Sequence, residues 1–177
     1  MGEQGIQEPK EARPTQIQAV LNKLRTITPE VFQQRLDAKA QEIDPTVGIA
    51  IVSLPDQGSV VAEDGQEYKF YVARVEVGKH VNPHVHFKGE EPYRLVTGEE
   101  GVMHIGTIDG QTVNWSRSIR IRRGGEIIVR AGEVHSFENT GNTPVDFIFA
   151  CPDSHLNDAQ DRMMTTNLQN GFPQYKS

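Results

Sequence analysis

GKHVNPHVHFKGEEPYRLVTG, residues 78–98, is the stretch that decides how this chain is read. His84 and His86 stand two apart in it. On an extended strand, residues i and i+2 face the same side, so both imidazoles can reach one point. Lys88-Gly89 can turn the chain, which lets the carboxylate of Glu91 return to that point from the next strand. A third imidazole, His135, lies far along the sequence and must arrive on another strand of a closed structure. Three neutral imidazoles and one carboxylate suit Mn, Fe, Co, Ni, Cu or Zn. They do not suit Ca or Mg, which take mostly oxygen ligands. One divalent transition metal ion per chain is therefore expected, held by His84, His86, Glu91 and His135.

Outward from this stretch the chain reads as short strands: Val47–Leu54, Ser59–Ala62, Tyr68–Val77, Tyr93–Val96, Val102–Ile108, Ser118–Ile121, Glu126–Val129 and Val145–Cys151. Asp64-Gly65 and Asp109-Gly110 mark the clearest hairpin turns. Many short strands with frequent turns imply a sandwich or barrel, in which the sheets close to bury one face. Upstream, Ile17, Val20, Leu21 and Leu24 follow a helical spacing. Thr28-Pro29-Glu30 opens a second helix, Pro29–Ile43, with a cap and a proline at its first position. The chain thus divides into an arm with helices (1–46), a β-barrel (47–152) and a C-terminal helix and tail (153–177). Residues 1–14 read as a loosely packed arm, Ser154–Met164 as one short helix with Met163-Met164 capping a barrel end, and the polar end beyond it as loose.

Gly78, His84, His86, Glu91 and Gly98 resemble the first motif of the cupin superfamily: Gly, five residues, His-x-His, three or four residues, Glu, six residues, Gly. Only Glu91, not Glu90, leaves six residues before Gly98. Gly124, Gly132, His135 and Asn139 are similar to the second motif, with Arg130 standing where that pattern has proline. The resemblance covers residues 70–152 and implies an all-β cupin fold, a double-stranded β-helix or jelly-roll barrel, with an N-terminal helical appendage. Glu91-Pro92-Tyr93 also resembles cupin-type sugar-phosphate isomerases. Glu90-Glu91, Tyr93, Arg122 and Gly125-Glu126-Ile127 resemble 3-hydroxyanthranilate dioxygenases. These likenesses imply a metal-dependent enzyme of isomerase or dioxygenase type, acting on a small, polar, anionic metabolite. The alternative is a non-catalytic cupin that binds or senses a small ligand.

Around the expected metal, Tyr93 shares the parity of Glu91 and offers a hydroxyl, so Tyr93 and Glu90 are the candidate catalytic groups. Phe137 follows His135 by two and should line the wall. His80 is placed at the rim. An inward arginine would fix a carboxylate or phosphate, and Arg74, Arg122 and Arg130 are the candidates. His104 and His155 read as ordinary strand and surface histidines. Cys151, the single cysteine, excludes an internal disulfide and sits in an apolar run as a buried hydrophobe. A net charge of −6, spread along the chain, suggests no nucleic-acid groove. No apolar run reaches membrane-spanning length, and the first residues lack a secretory layout. A cytoplasmic homodimer is expected, with Val47–Leu54 and Pro29–Ile43 crossing to a partner to cover strand edges.

Overall fold

A computed structural model of the chain describes residues 15–110, 112–165 and Phe172. The arm 1–14 and the tail beyond Thr165, Phe172 apart, lie outside the described residues. Two helices come first, α1 (Gln18–Leu24) and α2 (Pro29–Lys39). The strands β1 (Ile43–Asp44), β2 (Ile49–Ser53), β3 (Ser59–Val61), β4 (Glu67–Val75), β5 (His84–His86) and β6 (Glu91–Thr97) follow. Then come β7 (Glu100–Asp109), β8 (Thr112–Arg122), β9 (Glu126–Val129), β10 (Val134–Glu138) and β11 (Val145–Pro152). A one-turn helix α3 (Ser154–Asn157) and a last strand β12 (Arg162–Met164) end the described part.

The strands form two antiparallel sheets. One runs β1-β2-β4-β11-β6-β9, with β3 also on β4; the other runs β12-β5-β10-β7-β8. The sheets face each other across Tyr71, Leu95, Met103, Ile105, Phe137, Phe147 and Phe149. Along β11 every residue is buried. Its odd positions, Val145, Phe147, Phe149 and Cys151, face this interior. Ile148 and Ala150 face outward, where α1 and α2 cover them with Ile17, Val20, Leu24, Phe32 and Leu36. The larger of these side chains each contribute about 1.5–3 kcal/mol on burial. The helices therefore cap the outer face of their own chain's first sheet.

Two turns fix the site's neighbours. Gly98 has φ +83°, and a Cβ there would lie 2.7 Å from the carbonyl oxygen of Pro144. The motif's glycine after β6 thus answers both a left-handed backbone and a close approach. In the second motif, the Arg130 N–H donates to the Glu133 carboxylate at 2.9 Å, a bond that proline could not make. The turn before His135 so forms without the proline of the pattern. Asn139 clasps the barrel by donating to the carbonyls of Val75 and Thr143, each at 2.9 Å.

The expected helix Ser154–Met164 is not one element. It stops at Asn157, and Asp158 turns the chain by accepting from the Gln160 N–H at 2.8 Å. The chain then adds β12 to the edge of β5, with Arg162 opposite His86 and Met164 opposite His84. Met163-Met164 is an edge strand rather than a cap. Thr165, expected to be loose, is tied to the Pro83 carbonyl at 3.0 Å.

Candidate metal centre

β5 presents His84 and His86 to the barrel interior, and β10 lays His135 directly opposite His84. Glu91 opens β6 in the facing sheet, two residues past the Gly89 turn. One nitrogen of each imidazole and one carboxylate oxygen of Glu91 lie within 4.8 Å of one another, and all four residues are buried. His86 Nε2 is 3.1 Å and His135 Nε2 3.7 Å from Glu91 Oε2. Yet Glu91 Oε2 and His86 Nδ1 have no hydrogen bond of acceptable geometry. Buried polar atoms that go unbonded are costly, and the Glu91 oxygen lies where the three imidazoles converge. That is what a metal-ligating set requires.

The backbone sets which nitrogen faces inward. His84 Nδ1 is 2.7 Å from the Asn82 carbonyl and His135 Nδ1 is 3.2 Å from that of Glu133. A carbonyl only accepts, so Nδ1 carries the proton and Nε2 keeps its lone pair for an ion. Burial, reinforced by the neighbouring histidines, holds His84 well below the usual imidazole range. Burial lowers His135 to about 4, against the pull of Glu91. Burial alone would raise Glu91, but His86 and His155 outweigh it and hold the carboxyl well below its ordinary value. Neutral imidazoles beside an ionised carboxylate are the protonation states in which these residues bind a metal.

Tyr93 follows Glu91 on the same face, and its hydroxyl is 2.9 Å from His135 Nε2. Burial, then the charge of Glu91, pushes that hydroxyl well above its ordinary pKa. Phe137 lines the same cavity, with Val47, Ile49, Val81, Met103, Phe147, Phe149 and Leu156. The wall is chiefly apolar, and the cavity measures about 20 Å³, little more than the room of a water molecule.

The other candidates stand elsewhere. Arg74 is an outward position of β4 and forks onto Asp146 at 2.7 and 3.0 Å, with Asp37 at 2.9 Å. Arg122 is the outward end of β8, its side chain 74% exposed near Glu100. Arg130 lies in the exposed turn after β9. None of the three lines the cavity. Glu90 points away and accepts from the Thr15 hydroxyl at 2.8 Å. His80 packs edge to face with Phe172, ring centroids 5.0 Å apart, and is not among the residues that line the cavity. His104, expected as an ordinary strand or surface residue, is buried on β7. It contacts Ser118 and Glu138, each at 2.8 Å.

Two polar cavity residues escaped the sequence reading. His155 of α3 is fully buried, not superficial, and stacks on His86 with ring centroids 3.9 Å apart. Arg162 of β12 lines the cavity. Among the described residues its side chain has no ion pair or hydrogen bond. A three-residue strand is too short to show periodicity, so only its pairing with β5 reveals that Arg162 lies beside His86.

No protein-family model matches the sequence, and no curated protein matches it. Solved structures do match the fold. An uncharacterized conserved protein with a double-stranded β-helix domain from Klebsiella pneumoniae superimposes with a TM-score of 0.50 at 16% identity, over 75% of this chain and 95% of that one. A predicted oxalate decarboxylase from Thermotoga maritima gives 0.42 at 24% identity, over 58% and 77%. The oxalate decarboxylase of Bacillus subtilis, which has Mn(II) centres, gives 0.48 at 17% identity, over 68% and 28%. The fold of this chain is a double-stranded β-helix.

Proposed function

We propose that this chain, a cupin by its fold, is a metal-dependent enzyme acting on a small anionic metabolite of few heavy atoms, such as a short carboxylate. The observation that carries this reading is Arg162, which lines the cavity that holds the four donors and Tyr93 and has no ion pair or hydrogen bond among the described residues. A bound divalent ion would polarise a substrate oxygen or serve as a redox centre. Arg162 would fix the carboxylate by paired charge-assisted hydrogen bonds, and the apolar walls would exclude water. Once an ion takes the lone pair of His135 Nε2, the Tyr93 hydroxyl loses that acceptor and is free to donate to the bound ligand. The narrow cavity favours a short carboxylate over a sugar phosphate. The reaction is of isomerase or dioxygenase type, as the resemblance of the motifs implies. The enzyme is further proposed to be a cytoplasmic homodimer. Among the described residues no helix is long and apolar enough to cross a membrane.

The test is a thermal-shift and calorimetric screen of manganese-loaded protein against short mono- and dicarboxylates, with neutral analogues alongside. Carboxylates should bind and neutral analogues should not. Arg162→Ala should weaken binding about 10- to 100-fold, since a hydrogen bond to a charged group contributes about 1.5–3 kcal/mol. Arg74→Ala should leave it unchanged. Equal binding by Arg162→Ala and wild type would overturn the assignment.

A further inference from the structure

Beside the four-residue centre lie two further donors, Cys151 and His155, that it does not use. The register that pairs Phe149 with Tyr93 continues to place Cys151 alongside Glu91 on the inner face. Four residues later, α3 brings His155 against the same carboxylate, its Nδ1 3.4 Å from Glu91 Oε2. His155 Nε2 donates to the Lys88 carbonyl, which leaves Nδ1 as the ring atom that faces Glu91. That atom is buried and has no hydrogen-bond partner, and neither has Glu91 Oε2. Two buried polar atoms therefore face each other out of water, and a positive charge shared between them, an ion or a proton, would relieve the cost. The thiol of Cys151, also fully buried, completes the trio, with all three donor atoms within 4.8 Å. Nitrogen, oxygen and thiolate sulfur together are the donor set of zinc and its soft neighbours.

We propose that Glu91, Cys151 and His155 form a second cation position, taking a thiophilic divalent ion such as Zn²⁺ or Co²⁺, with Glu91 shared between it and the first centre. On ligation the thiol gives up its proton to solvent and no electron is transferred. The position shares Glu91 with the first centre but does not depend on the substrate assigned there.

Titration of the metal-free, full-length protein with Co²⁺, followed by absorption and by equilibrium dialysis, tests this. Two equivalents should bind, one of them bringing a thiolate-to-cobalt charge-transfer band. Cys151→Ala and His155→Gln should each lose that band and one equivalent. His135→Ala should keep the band while weakening the other equivalent. A single equivalent without the band in the unmodified protein would overturn the proposal and leave the first centre standing, with the trio holding a shared proton instead. No bound cobalt at all would sink both. Because the wild-type spectrum already decides, a variant that fails to fold does not blunt the test.

Discussion

At His135 the outcome of two opposed influences can be measured. Unfolded, its imidazole takes a proton near pH 6.5; in the metal-free folded chain burial delays this to about 4. Between those values the unfolded chain holds more protons, so stability falls as pH falls from 6.5 to 4, and this residue adds no slope above that window. The loss through His135 alone should be ~3 kcal/mol. Glu91 acts lower. Its folded pKa is depressed below 4.5, so its contribution is present above 4.5 and is lost as pH falls through the folded value. Denaturant titrations of chelated protein at a series of pH values check both, and His135→Gln should flatten the upper window. A wild-type midpoint that stays constant from pH 6.5 to 4 would contradict the buried, neutral histidine. Added metal should oppose the loss until protons displace it.

Among the elements, β12 has the least intrinsic reason to exist and the most direct bearing on function. Three residues cannot hold a strand by propensity, so its position rests on the turn before it. Asp161 makes that turn a fixed one: its Oδ1 accepts from the N–H groups of Phe87 and Lys88 at 2.9 and 2.8 Å, and its Oδ2 from the Ser154 hydroxyl at 2.5 Å. These bonds tie α3, the chain after β5, and the neighbour of Arg162 into one unit. Asp161→Ala would remove three hydrogen bonds to a buried carboxylate, each contributing about 1.5–3 kcal/mol as a bond to a charged group. We expect a lowered melting temperature and weakened carboxylate binding, because Arg162 loses its support. The first metal equivalent should be retained, because His84, His86, Glu91 and His135 stand on other strands. Metal analysis and calorimetry on the same variant check this, and loss of that metal with ligand binding intact would reverse the argument.

For the whole molecule, the two sheets end in β1, β9, β12 and β8, and strand edges of this kind are commonly covered by a partner. Ile43 of β1 is 49% exposed. Light scattering at micromolar concentration should give twice the chain mass, and a monomer there would refute the dimer. The alternation of His84 and His86, the turn at Lys88-Gly89 and the apolar runs of β4 and β11 were enough to read the barrel and the four donors from sequence, because strand parity and turn chemistry are local. The helical spacing from Ile17 to Leu24 was legible for the same reason. Where the arginines would lie was not. Arg74, Arg122 and Arg130 look alike in sequence, and it is the pairing of β4 with β11, the outward end of β8 and the turn after β9 that carry them away from the cavity. Arg162 and His155 enter through a three-residue strand and a one-turn helix, elements that owe their place to β5 and Asp161 rather than to their own residues. Sequence alone determined the barrel and its histidine–glutamate cluster, since a two-residue period and a glycine turn act over neighbouring positions. Only the tertiary structure decided which cation and which further donors share that interior, since this depends on the register between strands far apart in the chain.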